Sequence, residues 1–205
     1  MTTHATAPRD ANALLAQVRH QWGGHDDLWV FGYGSLIWRP DFEHTERHLT
    51  RVQGWHRTLK MWSRVNRGTP QCPGLVLALL PGGSCQGMAF RVPQCAADDV
   101  LQQLWQREMP LGGVYDPRWL PCSTPHGRVP ALAFTLSRRS PAYTGELSAA
   151  QYRDIFRNAR GRFGSTLDYA RQTQDSLRQH GIEDRALQAL LAHADDAPPL
   201  PILSR

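Results

Sequence analysis

Cysteine and long apolar runs are both scarce in this sequence, and each shortage excludes a class of protein. The 205 residues include four cysteines, none of them in a Cys-x-x-Cys pair. That spacing favours reduced thiols over a disulfide framework or a zinc knuckle. No segment is apolar over the length of a membrane span, and residues 1–11 contain one basic residue and no apolar signal region. We therefore expect a cytoplasmic protein that does not bind a membrane.

The motifs of dinucleotide-binding and serine-nucleophile enzymes are missing as well. After the run Gly32-Tyr33-Gly34, both motifs would require a glycine at the position that Ile37 occupies. His44 and His48 have the spacing of zinc ligands on a helix, but the His-Glu-x-x-His order is absent, so we interpret them as surface residues. We expect neither a metal nor an organic cofactor.

Positive charge is in excess but is not concentrated. The formal net charge is +5, and the basic residues are scattered along the chain. Such a surface suits an anionic metabolite as well as a nucleic acid, and the second alternative predicts strongly salt-dependent binding. We expect a small-molecule substrate, no nucleic acid and no obligate protein partner.

The length and composition are those of one globular domain. About 41% of the residues are hydrophobic, and a domain typically has roughly 100 to 200 residues. We expect residues 1–27 to form a flexible tail with a short helix at 12–22. The catalytic domain would then span 28–194, and the proline-rich residues 195–205 would be irregular.

Strands and helices do not alternate regularly in the predicted element order. Helical periodicity and capping residues predict helices at 98–108, 151–163, 165–181 and 184–194. Apolar, β-branched and aromatic runs predict strands at 28–38, 54–62, 75–80, 86–92 and 129–136, with a hairpin turn at 81–84. This order indicates an α+β fold with a mixed, partly closed sheet rather than a doubly wound fold.

The first candidate site is the glycine-rich loop at the end of the first predicted strand. Two glycines there let the backbone approach a ligand and turn N–H groups towards it, which suits a carboxylate. A bulged strand with a tight turn would have the same pattern. The candidate substrate-binding residues are Gly32, Tyr33, Gly34, Ser35 and Leu36.

The second candidate is Glu108. Leu101, Leu104, Trp105 and Glu108 follow helical spacing, so the carboxylate lies on the apolar stripe of its helix. Burial and the last helical turn would both raise its pKa towards that of a general base. The alternatives are a structural ion pair with a nearby arginine and a helix rotation that exposes the side chain.

Two further features are weaker candidates. The basic loop at residues 64–70 would suit a substrate carboxylate, but we interpret it as solvated surface charge. A thiol nucleophile is disfavoured because the cysteines have no neighbouring histidine or basic cluster.

Several separated stretches occur in the order typical of one known family. They are 29–38, 67–70 with 73–74, 86–92, 107–109 with 112–115, and 158–159 with 164–169. Together they resemble the ChaC family of glutathione-specific γ-glutamylcyclotransferases over roughly residues 28–192. The spacer 109–111 and Val114 before Tyr115 depart from the family's shorter Gly-Gly-Tyr link.

The resemblance implies a γ-glutamylcyclotransferase-like fold, a small mixed β-barrel flanked by α-helices. It makes Glu108 the catalytic acid/base and makes the loop at 32–36 the cradle of the γ-glutamyl group. Arg67, Tyr115 and Tyr169 become further candidates for substrate contact, and no cofactor is implied. The alternatives are a cyclotransferase for other γ-glutamyl amines or amino acids and a non-catalytic regulatory binding protein, against which the retained Glu108 argues.

Overall fold

The computed structural model of the protein describes residues 10–110 and 114–195. Residues 1–9 and 196–205 of the tails predicted at 1–27 and 195–205 lie outside this part of the chain, and so does the glycine pair at 112–113 that follows the helix predicted at 98–108. Within it, the chain divides into two compact units, each assembled from two segments. Unit 1 contains residues up to 56 and 79–140, and unit 2 contains 57–78 and residues from 141 onwards. The division into one domain and two tails stays a prediction.

Helices and strands alternate irregularly, as predicted. The helices are α1 Ala11–Trp22, α2 Gln94–Glu108, α3 Ala149–Asn158, α4 Thr166–Gln179 and α5 Arg185–Asp195. The strands are β1 Leu28–Gly32, β2 Glu46–Ser63, β3 Gly74–Val92, β4 Asp116–Thr124, β5 Gly127–Thr135, β6 Arg160–Gly161 and β7 Gly164–Ser165. Among the described residues, no helix combines the length and the apolar character needed to cross a membrane.

A five-stranded sheet has the order β2-β3-β1-β5-β4. Strand β1 is antiparallel to β3 and parallel to β5, and β4 is antiparallel to β5. All five residues of β1 are buried, which explains why this central strand is a continuous apolar run rather than an alternating one. The mixed sheet and the α+β class are therefore confirmed.

The two edge strands of the sheet approach each other within unit 1. The backbone N–H of Ser123 in β4 donates to Oγ1 of Thr50 in β2 at 3.0 Å. We call this contact between β2 and β4 the seam of the sheet. Glu46, the first residue of β2, lies at the seam and accepts hydrogen bonds from His126, His48 and Arg91, which lower its pKa to about 2. The prediction that His48 is a plain surface residue is wrong, because its side chain is only 24% exposed and is bound to Glu46.

His44 is also half-buried rather than a surface residue. Its ring packs edge-on against Phe42 and Phe90, with ring centroids 5.9 and 5.1 Å apart. One ring nitrogen lies 3.1 Å from the carbonyl oxygen of Phe42.

The predicted hairpin at 81–84 is wrong. Strand β3 continues through these residues, and Gly82 and Gly83 accommodate a local distortion with φ values of 107° and 71°. Residues of β2 hold this stretch, because a ring nitrogen of His56 lies 2.9 Å from the Gly82 carbonyl and Arg51 donates to Oγ of Ser84 at 3.2 Å.

Other elements also differ from the predictions: β1 ends at Gly32 rather than at 38, and β2 begins at Glu46 rather than at 54. Helix α2 begins at Gln94 rather than at Asp98, and β4 was not predicted. Helix α3 ends at Asn158, so Phe163 lies beyond it and is 43% exposed instead of facing a helix core.

Unit 2 surrounds α4 with short elements and the adjacent ends of β2 and β3. Helix α4 begins with a capping box in which Ser165 and Asp168 bind each other's backbone N–H, as the predicted helix start at Ser165 requires. Inside this unit the buried Arg57 forms a 2.8 Å ion pair with Asp184. The Tyr169 hydroxyl accepts a 3.3 Å hydrogen bond from the backbone of Leu77.

Candidate active site

The glycine-rich loop leaves the sheet where β1 ends. Gly32 is the last residue of β1, and a short 3-10 helix, Ser35–Ile37, follows Gly34. A Cβ atom on Gly32 would lie 3.0 Å from both Leu36 Cβ and the Phe90 ring, which is tighter than ordinary van der Waals contact. The absence of a side chain at Gly32 therefore lets the loop turn back against the core.

Two of the predicted loop residues point into the core. Leu36 and Tyr33 are 6% and 7% exposed, and the Tyr33 hydroxyl donates to the carbonyl oxygen of Phe134 at 2.8 Å. These side chains hold the loop on the sheet, and Ser35, which is half-buried, is the one residue of 32–36 that is not buried.

Glu108 lies on the apolar stripe that the sequence predicts. It is the last residue of α2, and its side chain is 16% exposed, while Leu101, Leu104 and Trp105 of the same stripe are buried. Burial raises the pKa of Glu108, and the positive charges of Arg107 and Arg39 oppose that shift. The carboxyl group is thus held closer to neutrality than an exposed glutamate.

Arg107 joins Glu108 to the loop. Its Nε lies 3.1 Å from Oε1 of Glu108, and its Nη2 donates to Oγ of Ser35 at 3.0 Å. Its Nη1 donates to the carbonyl oxygen of Arg39 at 2.7 Å and to Asp41 at 3.2 Å. The predicted alternative of an ion pair with an arginine is therefore present, and the same arginine also organises the loop. Sequence reasoning missed this role because neighbouring helical positions do not face each other.

An aromatic cluster supports both parts of this arrangement. The Phe134 ring packs edge-on against Trp105 of α2 at 5.7 Å and against Tyr115 at 6.1 Å. Tyr115 is 8% exposed, and the Phe134 carbonyl is the acceptor for Tyr33. Phe134 thereby contacts both the helix that carries Glu108 and the loop that follows β1, a role that no local pattern predicts.

Arg67 and Tyr169 lie together in unit 2. The Arg67 guanidinium stacks over the Tyr169 ring, 5.0 Å from its centroid, and donates to the carbonyl oxygen of Phe163. Arg67 is only 7% exposed, so the interpretation of residues 64–70 as solvated surface charge is wrong for this residue.

The geometry of unit 1 suits proton transfer beside an oriented ligand. Glu108, a half-buried carboxylate of raised pKa, and Ser35 of the loop at 32–36 both bind the side chain of Arg107. The side chains of Glu108 and Ser35 are half-buried, so neither is fully enclosed. Such a carboxylate accepts and returns a proton near neutral pH more readily than an ordinary glutamate does.

Comparison with known proteins gives consistent results. The family model described as ChaC-like protein matches residues 28–197. The glutathione-specific γ-glutamylcyclotransferase of Escherichia coli K12 is 36% identical over 165 residues, which cover 80% of this chain and 71% of the relative. The glutathione-specific γ-glutamylcyclotransferase of Schizosaccharomyces pombe is 30% identical, over 82% of this chain and 91% of its own.

A solved structure shares the fold. The yeast γ-glutamyl cyclotransferase specific to glutathione matches with a TM-score of 0.75 at 21% identity, covering 83% of this chain and 96% of that chain. This likeness confirms the γ-glutamylcyclotransferase-like fold that the resemblance implied. Because the family model matches residues 28–197, which are most of this chain, the chain belongs to the ChaC family.

Proposed function

We propose that this protein is a glutathione-specific γ-glutamylcyclotransferase that converts glutathione into 5-oxoproline and cysteinylglycine. The observation that carries the proposal is the half-buried Glu108, whose pKa is raised by burial and which Arg107 links to the loop after β1. Relatives at 30 to 36% identity carry this activity in their names, and they span much of the chain.

In the proposed reaction Glu108 acts as the acid/base. Its carboxylate takes a proton from the substrate's α-ammonium group, and the freed amine nitrogen attacks the γ-carbonyl carbon. A five-membered ring closes as the new C–N bond forms. Glu108 then returns the proton to the amide nitrogen of cysteinylglycine, and the original C–N bond breaks. The ring nitrogen gives up its second proton, which passes to the released amine, so the products are 5-oxoproline with a neutral amide nitrogen and the ammonium form of cysteinylglycine. The substrate supplies its own nucleophile, so no external water or cofactor enters the balance.

The loop would orient the γ-glutamyl group for this ring closure. Backbone N–H groups from Gly34 to Leu36 would bind the γ-glutamyl group and the oxygen that gains charge during attack. Arg107 fixes the Ser35 hydroxyl, and Tyr33 and Leu36 anchor the loop from beneath. We place Arg67, Tyr169 and Tyr115 as candidates for substrate contact on the strength of the family motif.

A product assay tests the proposal directly. Purified protein is incubated with glutathione, and 5-oxoproline and cysteinylglycine are quantified, with γ-glutamyl amino acids and γ-glutamyl amines as parallel substrates. We expect equal amounts of the two products from glutathione and much slower turnover of the other compounds. If the protein turned over only the γ-glutamyl amino acids or amines, one of those compounds and not glutathione would be its substrate. If it bound glutathione without turning it over, a regulatory binding protein would be favoured.

We further propose that the reaction takes place in the cytoplasm. The four cysteines are free thiols, which suits a reducing compartment. Breakdown of glutathione there would release both halves of the tripeptide.

A further inference from the structure

A second group of reactive side chains lies in unit 1 at the seam between the edge strands. Glu46 and His48 belong to the start of β2, and His126 belongs to the turn between β4 and β5. Both Nε2 atoms lie 2.8 Å from the same Oε2 of Glu46. The three atoms lie within 4.8 Å of one another.

These residues meet because the sheet brings its opposite edges together. In the strand order, β2 and β4 are the two outermost strands, yet Ser123 of β4 donates to Thr50 of β2 at 3.0 Å. Glu46 and His126 are 80 positions apart in sequence. The convergence is therefore a product of the closure of the sheet and not of a local motif.

We propose that Glu46, His48 and His126 bind one divalent transition-metal ion of the Zn²⁺ type. The ion would link β2, at one edge of the sheet, to the turn that follows β4 at the other edge. Two imidazole nitrogens and one carboxylate oxygen form a donor set that suits zinc and the related ions. Mg²⁺ and Ca²⁺ prefer oxygen ligands and are poorly matched to it.

The surroundings hold these donors in place. The Trp29 ring, 7% exposed, packs against His48 and His126 with centroid distances of 6.0 and 6.3 Å. Arg91 donates to Oε1 of Glu46 at 2.6 Å, which leaves Oε2 to face the histidines, and Asp27 pairs with the same arginine at 2.6 Å. In metal sites of proteins, a carboxylate ligand is typically held by a hydrogen bond from a residue that does not itself bind the metal, as Arg91 holds Glu46 here.

Metal binding would require the three donors to adjust their positions. With metal–ligand bonds of about 2.0 to 2.2 Å, tetrahedral donors lie about 3.3 Å apart, so each 2.8 Å contact must lengthen by about half an ångström. The two Nε2 atoms, which lie within 4.8 Å of each other, must reach the same separation. An open cavity of about 360 Å³, lined by Trp29, Arg91 and His126 among others, reaches the cluster from solvent. It gives an ion a path of entry and leaves room for a water ligand.

The site is separate from the candidate catalytic site. Trp29 and its partner Arg91 lie near the start of β1, whereas the loop at 32–36 follows its other end. At roughly 3.3 Å per residue, Trp29 and Gly32, where the loop begins, are about 10 Å apart along β1. The ion therefore stabilises the sheet and takes no part in the proposed reaction.

The proposal is tested with Co²⁺ and Zn²⁺ on the full-length protein freed of any affinity tag. We expect one Co²⁺ per chain with visible absorption bands of a four- or five-coordinate site, and a rise in Tm on addition of Zn²⁺ but not of Mg²⁺. His126→Ala, in an exposed turn, and Glu46→Gln, which keeps its shape, should each weaken Co²⁺ binding by more than the roughly 10- to 100-fold that loss of an outer partner costs.

The matched control is His20→Ala, which removes an exposed histidine from α1. It should bind Co²⁺ as the wild type does. The proposal is overturned if the wild type binds no Co²⁺, or if His126→Ala and Glu46→Gln bind it with the wild-type stoichiometry and affinity.

Discussion

Glu108 is the residue on which the proposed chemistry depends. We expect Glu108→Gln to lose about 100-fold to 10,000-fold in turnover of glutathione, the range typical of removing a general base. Burial raises the pKa of Glu108, so ionising it at neutral pH costs stability, and the neutral amide should leave Tm unchanged or higher. Initial rates of cysteinylglycine release and thermal melts on the same preparation measure both effects.

The control for this variant is Asp99→Asn, which neutralises an exposed carboxylate on the same helix. It should keep wild-type turnover. If Glu108→Gln turned over glutathione at the wild-type rate, Glu108 would have no part in the reaction. A lowered Tm would instead identify a structural ion pair between Glu108 and Arg107. We expect no such fall, because Arg107 keeps Ser35, Arg39 and Asp41 as partners in this variant.

Arg107 should set the pH at which the enzyme becomes active. Its positive charge lowers the pKa of Glu108, against the larger effect of burial. Glu108 must be ionised to accept a proton, so kcat/KM rises with pH through its pKa. In Arg107→Gln that pKa rises further, and the acid limb of the kcat/KM profile should move to higher pH.

Arg107→Lys separates charge from geometry. The lysine keeps the positive charge but lacks the planar guanidinium group that binds Ser35 and Glu108 at the same time. The acid limb of its kcat/KM profile should therefore stay near that of the wild type, while KM for glutathione increases. An Arg107→Gln profile that coincides with the wild-type profile, or moves to lower pH, would show that Arg107 does not control the ionisation of Glu108.

At the scale of elements, the close contact between β1 and β3 depends on Gly87. A Cβ atom there would lie 2.4 Å from the Gly32 carbonyl oxygen and 2.8 Å from the Phe31 ring, so strand backbone has to move. We expect Gly87→Ala to cost about 1–3 kcal/mol, as overpacking of a core typically does. Tm should fall by several degrees, since each kcal/mol shifts it by about 2–4 °C in a chain of this size.

Because Gly32 also begins the loop, Gly87→Ala should reduce glutathione turnover together with stability. Ser84→Ala, an exposed change in the same strand that loses only a solvent-exposed hydrogen bond from Arg51, serves as the control and should change both quantities far less. An unchanged melting curve for Gly87→Ala would mean that the two strands pack less tightly than these distances indicate.

At the scale of the whole molecule, stability and catalysis should respond differently to chelation. The proposed reaction uses Glu108 and the substrate's own amine, so EDTA should leave the rate of glutathione turnover unchanged. Removal of an ion from the seam of the sheet should lower Tm. Rate assays and melts in EDTA, with and without added Zn²⁺, measure the two separately, and activity that EDTA abolishes and a divalent metal restores would contradict this mechanism.

The sequence by itself determined the features that arise from local pattern. The buried run of β1, the capping box at Ser165 and the position of Glu108 on the stripe of α2 follow from hydrophobic periodicity and side-chain chemistry over a few residues. The family motifs are likewise local, so both the family and the α+β class could be identified from the sequence alone. These features need no partner from a remote part of the chain.

The tertiary structure decided what depends on remote partners. Helix α2 begins at Gln94 because Asp27, 67 positions away, accepts its backbone N–H at 2.8 Å, so the local capping signal at Asp98 has no effect. Arg107 meets Ser35 across 72 positions, and His126 meets Glu46 across 80. Such contacts form only when strands pair and the sheet closes, because their free energy comes from groups that the folded backbone brings together.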